Sequence, residues 1–174
     1  MNSRILLFAC SIAAVSATAG AQRPLTLSLG GGVSLPVAHF HEVANTGWHA
    51  LASIGVSTYM QPLGLRLDGA YNRFSAKSGG PTPAITSGTL NITYRLPMTN
   101  SPLSPYVITG AGGYHLGCSG TSGCGTFTRF GWNAGLGTKF VALGLRGFLE
   151  SRFHAVNASG GNIRYVPITL GLTF

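Results

Sequence analysis

Long hydrophobic runs are missing from this 174-residue chain. The apolar run from Ile5 to Val15 falls well short of the roughly 20 residues that a spanning helix needs, which excludes a helical membrane anchor there. Beyond it no 3.6-residue apolar periodicity is sustained, and 26 glycines argue against confident helices. Acidic side chains number only 3, against 11 Lys and Arg. The basic residues nevertheless stand singly. No run or basic helix face would track a nucleic-acid backbone, so no nucleic-acid partner is expected. Cysteine is as sparse as acid, with 3 residues. Two thiols without neighbouring ligands do not make a zinc site, which wants three or four protein ligands, and no metal or other cofactor is expected.

What is present begins with an export signal. Arg4 supplies the positive start, Ile5 to Val15 the apolar run, and Ala19, Gly20 and Ala21 the small-residue cleavage pattern. Residues 1–21 therefore read as a signal peptide cut before Gln22, and residues 22–174 as one domain. A lipoprotein reading fails because Cys10 lies inside the apolar run. Loss of Arg4 lowers the formal charge from +8 to +7, and the natural anionic neighbour of an exported basic chain is a phosphate-bearing membrane surface. Cys118 and Cys124 remain as an even pair in "GCSGTSGCG". In an exported chain they are expected to form a disulfide across a flexible Gly, Ser and Thr loop.

Period two runs through eight stretches. "LTLSLGGGVSLP" puts Leu25, Leu27, Leu29, Val33 and Leu35 on one face, and "WHALASIGVST" does the same for Trp48, Ala50, Ala52, Ile54 and Val56. "LGLRLDGAYNRF" separates Leu63, Leu65, Leu67 and Tyr71 from Arg66, Asp68 and Asn72. "TSGTLNITYRL" separates Leu90, Ile92, Tyr94 and Leu96 from Asn91 and Arg95. The fifth stretch aligns Tyr106, Ile108, Tyr114 and Leu116, read as an outward face. The sixth sets Phe130, Trp132, Ala134, Leu136 and Phe140 against Arg129, Asn133 and Lys139. The seventh sets Leu143, Leu145, Leu149 and Phe153 against Arg146, Glu150 and Arg152. The eighth, "YVPITLGLTF", aligns Val166, Ile168, Leu170, Leu172 and Phe174.

Alternation alone also suits a sheet packed on an aqueous core. Three features favour a bilayer. Charges keep to one face, as hydrocarbon requires on the other, where a charge costs about 2 to 4 kcal/mol near the midplane. Stretches of about ten residues match a tilted crossing. Aromatics recur near stretch ends as interfacial girdles, with Tyr106 and Tyr114 counted among them. The connections after odd-numbered stretches are polar or Gly-rich and tend to be longer than the others, as for a barrel with one rim outside. Unpaired edges in lipid are too costly to leave, so the strands should close.

These features resemble the small eight-stranded outer-membrane barrel families of the outer-membrane A, X and W kind, over roughly residues 23–174. The most specific piece is "YVPITLGLTF", which looks like the terminal strand motif read by the barrel-assembly machinery through Val166, Ile168, Leu170, Leu172 and Phe174. The resemblance implies an all-β, eight-stranded antiparallel transmembrane up-and-down barrel in the bacterial outer membrane. It also implies escort by periplasmic chaperones and a surround of outer-membrane lipids and lipopolysaccharide. It carries over no activity. No peptidoglycan-binding domain is read after Phe174, so the two-domain plan of the A family is not carried over.

Inside such a barrel Asp68 and Glu150 would meet Arg66, Arg95, Arg129, Lys139, Arg146 and Arg152 in a lumen just wide enough for side chains. Salt-bridged packing is the leading expectation. The alternative is a narrow anion-preferring pore, with Gly30, Gly32, Gly55, Gly113, Gly131, Gly135, Gly137 and Gly171 removing bulk. All five histidines read as lying at or above the outer rim, where His39, His41, Glu42 and His49 could in principle hold a metal but need not. A lipid A hydrolase is weakly supported: Glu150 and Ser151 face opposite ways, and "LESRFH" lacks the His-x-Ser-Asn pattern of the deacylase family. The expected role is non-enzymatic, structural or surface-interacting, with four loops on a rigid barrel available to an extracellular ligand.

Overall fold

The computed structural model describes residues 25–57, 62–77, 82–98, 101–119, 125–157 and 162–174. The signal peptide assigned to residues 1–21, its cleavage point and Cys124 lie outside them. Each alternating stretch is a strand: β1 (Leu25–Val37), β2 (Ala44–Ser57), β3 (Leu63–Ala76), β4 (Thr82–Arg95), β5 (Ser104–Ser119), β6 (Phe127–Ala142), β7 (Leu145–Val156) and β8 (Ile163–Thr173). One short helix, α1 (Phe40–Val43), follows β1. The strands pair antiparallel in sequence order, and β8 pairs with β1 to close the barrel, setting Leu172 opposite Leu29 and Ile168 opposite Val33. Pairing continues to the last residue. The Phe174 N–H donates to the Leu27 carbonyl at 2.7 Å, and the Leu27 N–H donates back at 3.2 Å.

The outer wall is largely apolar, with β5 contributing Val107, Thr109, Ala111 and Gly113 in place of large hydrophobes. Leu27, Ile54, Leu65, Leu90, Leu136 and Leu170 point outward and are between 45% and 63% exposed. Water would not tolerate so large a continuous apolar surface, whereas hydrocarbon solvates it. The orientation that alternation leaves open is therefore settled: the large apolar face points out, and the charged and polar side chains point into the bore. Trp48 with Tyr71, and Trp132 with Phe153, form tilted ring pairs on this wall, with centroids 5.6 and 5.7 Å apart.

Several expectations need correction. In β5 the faces are exchanged: Tyr106, Ile108, Tyr114 and Leu116 are buried in the lumen, and Gly113 lies on the opposite, outward side. Tyr106 and Tyr114 are thus not girdle residues. Leu143 belongs to no strand. It forms the β6–β7 hairpin turn with Gly144, both with positive φ (52° and 77°), the combination a two-residue hairpin needs to match strand twist. The strands run from 11 to 16 residues, longer than the ten expected, and they absorb much of the polar connections. What remains joins residues 38–43, 77–81, 120–126 and 157–162 on one rim, against 58–62, 96–103 and 143–144 on the other. Longer connections therefore do not segregate to one rim. We call the rim carrying Leu25 and Phe174 the terminal rim.

Glycines on the inward faces make room for aromatic rings. A Cβ on Gly30 would sit 3.0 Å from the Phe148 ring, and Gly171 borders the same ring. Gly137 borders Tyr106, and a Cβ on Gly131 would lie 2.8 Å from Tyr114. Small residues facing large ones fill a narrow barrel. The space left by these four glycines is taken by the rings of Phe148, Tyr106 and Tyr114.

Candidate functional site

The centre of the lumen holds four charges of zero net sum, from two strands that face each other across the ring. Parity brings Arg66 and Asp68 inward from β3, and Glu150 and Arg152 inward from β7. Arg66 Nε lies 2.9 Å from Asp68 Oδ1 and its Nη2 2.8 Å from Glu150 Oε1. Arg152 Nη1 lies 2.8 Å from Asp68 Oδ2 and its Nε 2.8 Å from Glu150 Oε1. Each cation thus bridges both anions. The neighbours supply the remaining bonds. The Tyr106 hydroxyl of β5 donates to Glu150 Oε2 at 2.6 Å, and Asn91 Nδ2 of β4 donates to Asp68 Oδ2 at 3.0 Å. Asn133 Nδ2 of β6 donates to Asn91 Oδ1 at 2.9 Å. Asp68, Glu150 and Arg152 are only 3%, 1% and 4% exposed. Charges buried this deeply are tolerable only when paired and hydrogen-bonded, and these are both.

Of the eight charged residues assigned to the lumen, these four meet. Arg95, Lys139 and Arg146 instead line a cavity of about 470 Å³ that opens at the terminal rim, with Arg66 at its inner end. Arg129 sits near the opposite rim, its guanidinium 5.2 Å from the Phe127 ring centroid. Cys118, near the end of β5, is disulfide-bonded. The outward run of Val166, Ile168, Leu170, Leu172 and Phe174 lies along β8 beside β1.

Beyond the quartet, towards the opposite rim, lies a layer that the sequence reading missed. His49 and His154 are not rim residues; each is 4% exposed inside the lumen. Ser34 Oγ donates to Asn72 Oδ1 at 2.8 Å, so its lone pair accepts from His49 Nδ1 at 3.1 Å. His49 Nε2 then accepts from the Thr169 hydroxyl at 2.9 Å. His154 Nδ1 pairs with the Tyr114 hydroxyl at 2.9 Å, and its ring stacks on Tyr165 at 4.8 Å. Parity carried the signal: His49 alternates with outward Trp48 and Ala50, and His154 shares the parity of Glu150. Phe40 of α1 closes the mouth, its ring edge-on to Phe74 at 4.8 Å, and Phe74 is edge-on to Tyr165 at 5.6 Å. Ionic, polar and aromatic layers thus follow one another along the bore.

No catalytic triad assembles from "LESRFH". Ser151 is exposed on the outer wall, whereas Glu150 and His154 are buried inside. Among the described residues no three His, Cys, Asp or Glu side chains gather as a metal site. His39 and Glu42 form an exposed pair at 3.3 Å, remote from buried His49. The opposite rim is otherwise basic. Arg73 lies near the end of β3 and Lys77 just beyond it, Arg129 lies near the start of β6 and Arg164 near the start of β8, with Glu42 as the acidic side chain of that rim. Arg73 stands opposite Trp48 of one aromatic pair, and Arg164 shares a row with Trp132 of the other.

No curated protein matches the sequence. Solved structures do match in fold. Neisserial surface protein A aligns with a TM-score of 0.68 at 14% identity, covering 86% of this chain and 95% of that one. A major outer membrane protein from Thermus thermophilus aligns at 0.57 and 11% identity, covering 87% and 99%. Ail, the attachment invasion locus protein of Yersinia pestis, crystallised with the heparin analogue sucrose octasulfate, aligns at 0.54 and 14% identity, covering 86% and 97%. The family described as outer membrane protein beta-barrel domain matches residues 6–144. With its closed eight-stranded barrel, apolar outer wall and charge-filled bore, the chain belongs to this family of bacterial outer-membrane barrels.

Proposed function

We propose that the protein is a non-catalytic outer-membrane barrel that works through its outer rim, where cationic side chains engage the phosphates of lipopolysaccharide. The observation that carries the reading is the rim's charge: Arg73, Lys77, Arg129 and Arg164 against Glu42. In the outer membrane the terminal rim is the periplasmic one, the side from which the chain inserts, so the basic rim faces outside. Arg73 and Arg164 are exposed on the outer wall beside the aromatic belt, Arg73 opposite Trp48 and Arg164 in the same row as Trp132. A basic side chain near an anionic surface contributes about 1 kcal/mol. The short connections favour this wall-based contact over recognition by long loops. The layered packing of the lumen argues against the anion pore, and the separation of Ser151 from His154 argues against lipid A hydrolysis.

The test compares wild type with R73Q/R164Q in detergent. Lipopolysaccharide should raise the wild-type unfolding temperature, and dephosphorylated lipopolysaccharide should do so less. The variant should lose most of the phosphate-dependent increment. An equal increment in both proteins would refute the reading. Mass spectra of lipid A from expressing and non-expressing cells should be identical, and a shifted acyl pattern would reinstate an enzyme.

A further inference from the structure

The outer rim and the packed bore leave one feature unused, the cavity at the periplasmic end. We propose that it is a binding site for a small amphiphilic anion: one phosphate or carboxylate joined to a compact apolar group.

Size, charge and shape converge on that class of ligand. At about 470 Å³ the cavity falls within the range of about 300 to 1,000 Å³ usual for small-molecule sites. Its wall carries Arg66, Arg95, Lys139 and Arg146, and among the described residues no acidic side chain lines it. Arg66 is neutralised within the quartet, so the wall's positive charge comes from Arg95, Lys139 and Arg146. Asp68 and Glu150 are held between Arg66 and Arg152, and Glu42 is at the opposite rim. Even with the terminal carboxylate of Phe174 counted at the mouth, the wall keeps an excess of positive charge. Like charges gathered in one recess repel, and a bound anion relieves that repulsion. Thr93, Ser104 and Thr173 add hydroxyl donors to the same wall. Pro62, Pro102 and Val141 supply apolar surface at the mouth, which an inorganic ion alone would leave uncovered.

The cavity is blind. Tyr106 and the Arg66–Glu150 pair form its inner end, with the Lys139 ammonium 5.9 Å from the Tyr106 ring centroid. A ligand enters and leaves by the periplasmic mouth. The site is thus a receptor recess and not a stage of transport, and it is independent of the contacts proposed for the outer rim.

The probe is 4-fluorophenyl phosphate, followed by ¹⁹F NMR on the folded full-length barrel in zwitterionic detergent. Inorganic phosphate and 4-fluorophenol serve as the anionic and apolar halves. Saturable binding is expected, tighter than for either half. K139Q/R146Q should weaken it at least tenfold, whereas R73Q/R164Q, with the same loss of charge at the other rim, should leave it within twofold. Thr93→Trp, which keeps the charge and fills the space, should also abolish it. Folding of each variant is checked by gel mobility before and after heating. The binding is then repeated in nanodiscs. Competition by phosphatidylglycerol, absent with phosphatidylcholine, would assign the occupant to lipid headgroups, and equal binding in both would assign it to soluble anions; either upholds the site. No saturable binding, or equal loss in the two double variants, would overturn it.

Discussion

Glu150→Met tests the quartet at the centre of the lumen. Glu150 accepts from Arg66 at 2.8 Å and from Tyr106 at 2.6 Å, and it is ion-paired with Arg152 at 2.8 Å. Its removal leaves two buried guanidinium groups facing the single carboxylate of Asp68. Breaking a buried pair by deleting one partner costs about 3 to 5 kcal/mol, because the uncompensated charge stays behind. Solvent screening offers little relief, since the side chains of Glu150, Asp68, Arg152 and Arg66 are 0%, 2%, 4% and 11% exposed. Arg152→Met should cost a similar amount for the complementary reason. The double variant differs: it deletes one charge of each sign and leaves Arg66 paired with Asp68. Apolar replacement of a whole buried pair is often nearly neutral. The Tyr106 hydroxyl still loses its acceptor, a penalty of about 1 to 3 kcal/mol. The double variant should therefore be less destabilised than either single one. Urea unfolding in lipid vesicles gives the numbers, read by gel mobility and by fluorescence of Trp48 and Trp132. A single variant costing under about 1 kcal/mol, or two single effects that simply add, would refute the reasoning.

Three further outcomes follow from the wall and the packing. Leu170→Arg, at the middle of β8 on the lipid side, should destabilise by about 2 to 4 kcal/mol in vesicles; a neutral effect would mean that this face does not meet hydrocarbon. Gly110→Ala should cost about 1 to 3 kcal/mol, because its Cβ would strike Asn91 Oδ1 and the Leu90 carbonyl. Gly69→Ala, with nothing within 4 Å, should cost nothing by the same urea assay. Deletion of Phe174 removes the backbone pairing with Leu27 and should slow insertion into vesicles, measured by the appearance of the heat-modifiable band; unchanged kinetics and yield would remove its role in assembly.

Much of the fold is legible in alternation because a barrel repeats one rule eight times. The rule has two values, however, and needs side chains to vote. In β5, Gly110, Gly112 and Gly113 interrupt the pattern, and Tyr106 and Tyr114 look like interfacial aromatics. Their hydroxyls decide otherwise: one donates to Glu150 and the other pairs with His154, partners found only inside. Phe148 escaped notice for a related reason. An inward Phe looks misplaced until Gly30 and Gly171, distant in sequence from β7, are seen to leave room for its ring. The charge quartet was legible as a set of inward residues. Its division was not, because depth along the axis depends on register. Register is what separates Arg66 and Arg152 at the centre from Arg95, Lys139 and Arg146 at the periplasmic mouth. Phe40 gave no periodic signal at all, since it lies in a connection.

The central claim is that the barrel acts with its surface and not through its bore. Planar-bilayer recording tests it most directly, with purified folded protein added to both chambers at high salt. The ionic quartet, the His49 and His154 layer and the Phe40 closure together predict no conductance above that of the empty bilayer. Reproducible unitary steps with anion selectivity, lost when Arg66 or Arg152 is replaced by a neutral side chain, would contradict the account.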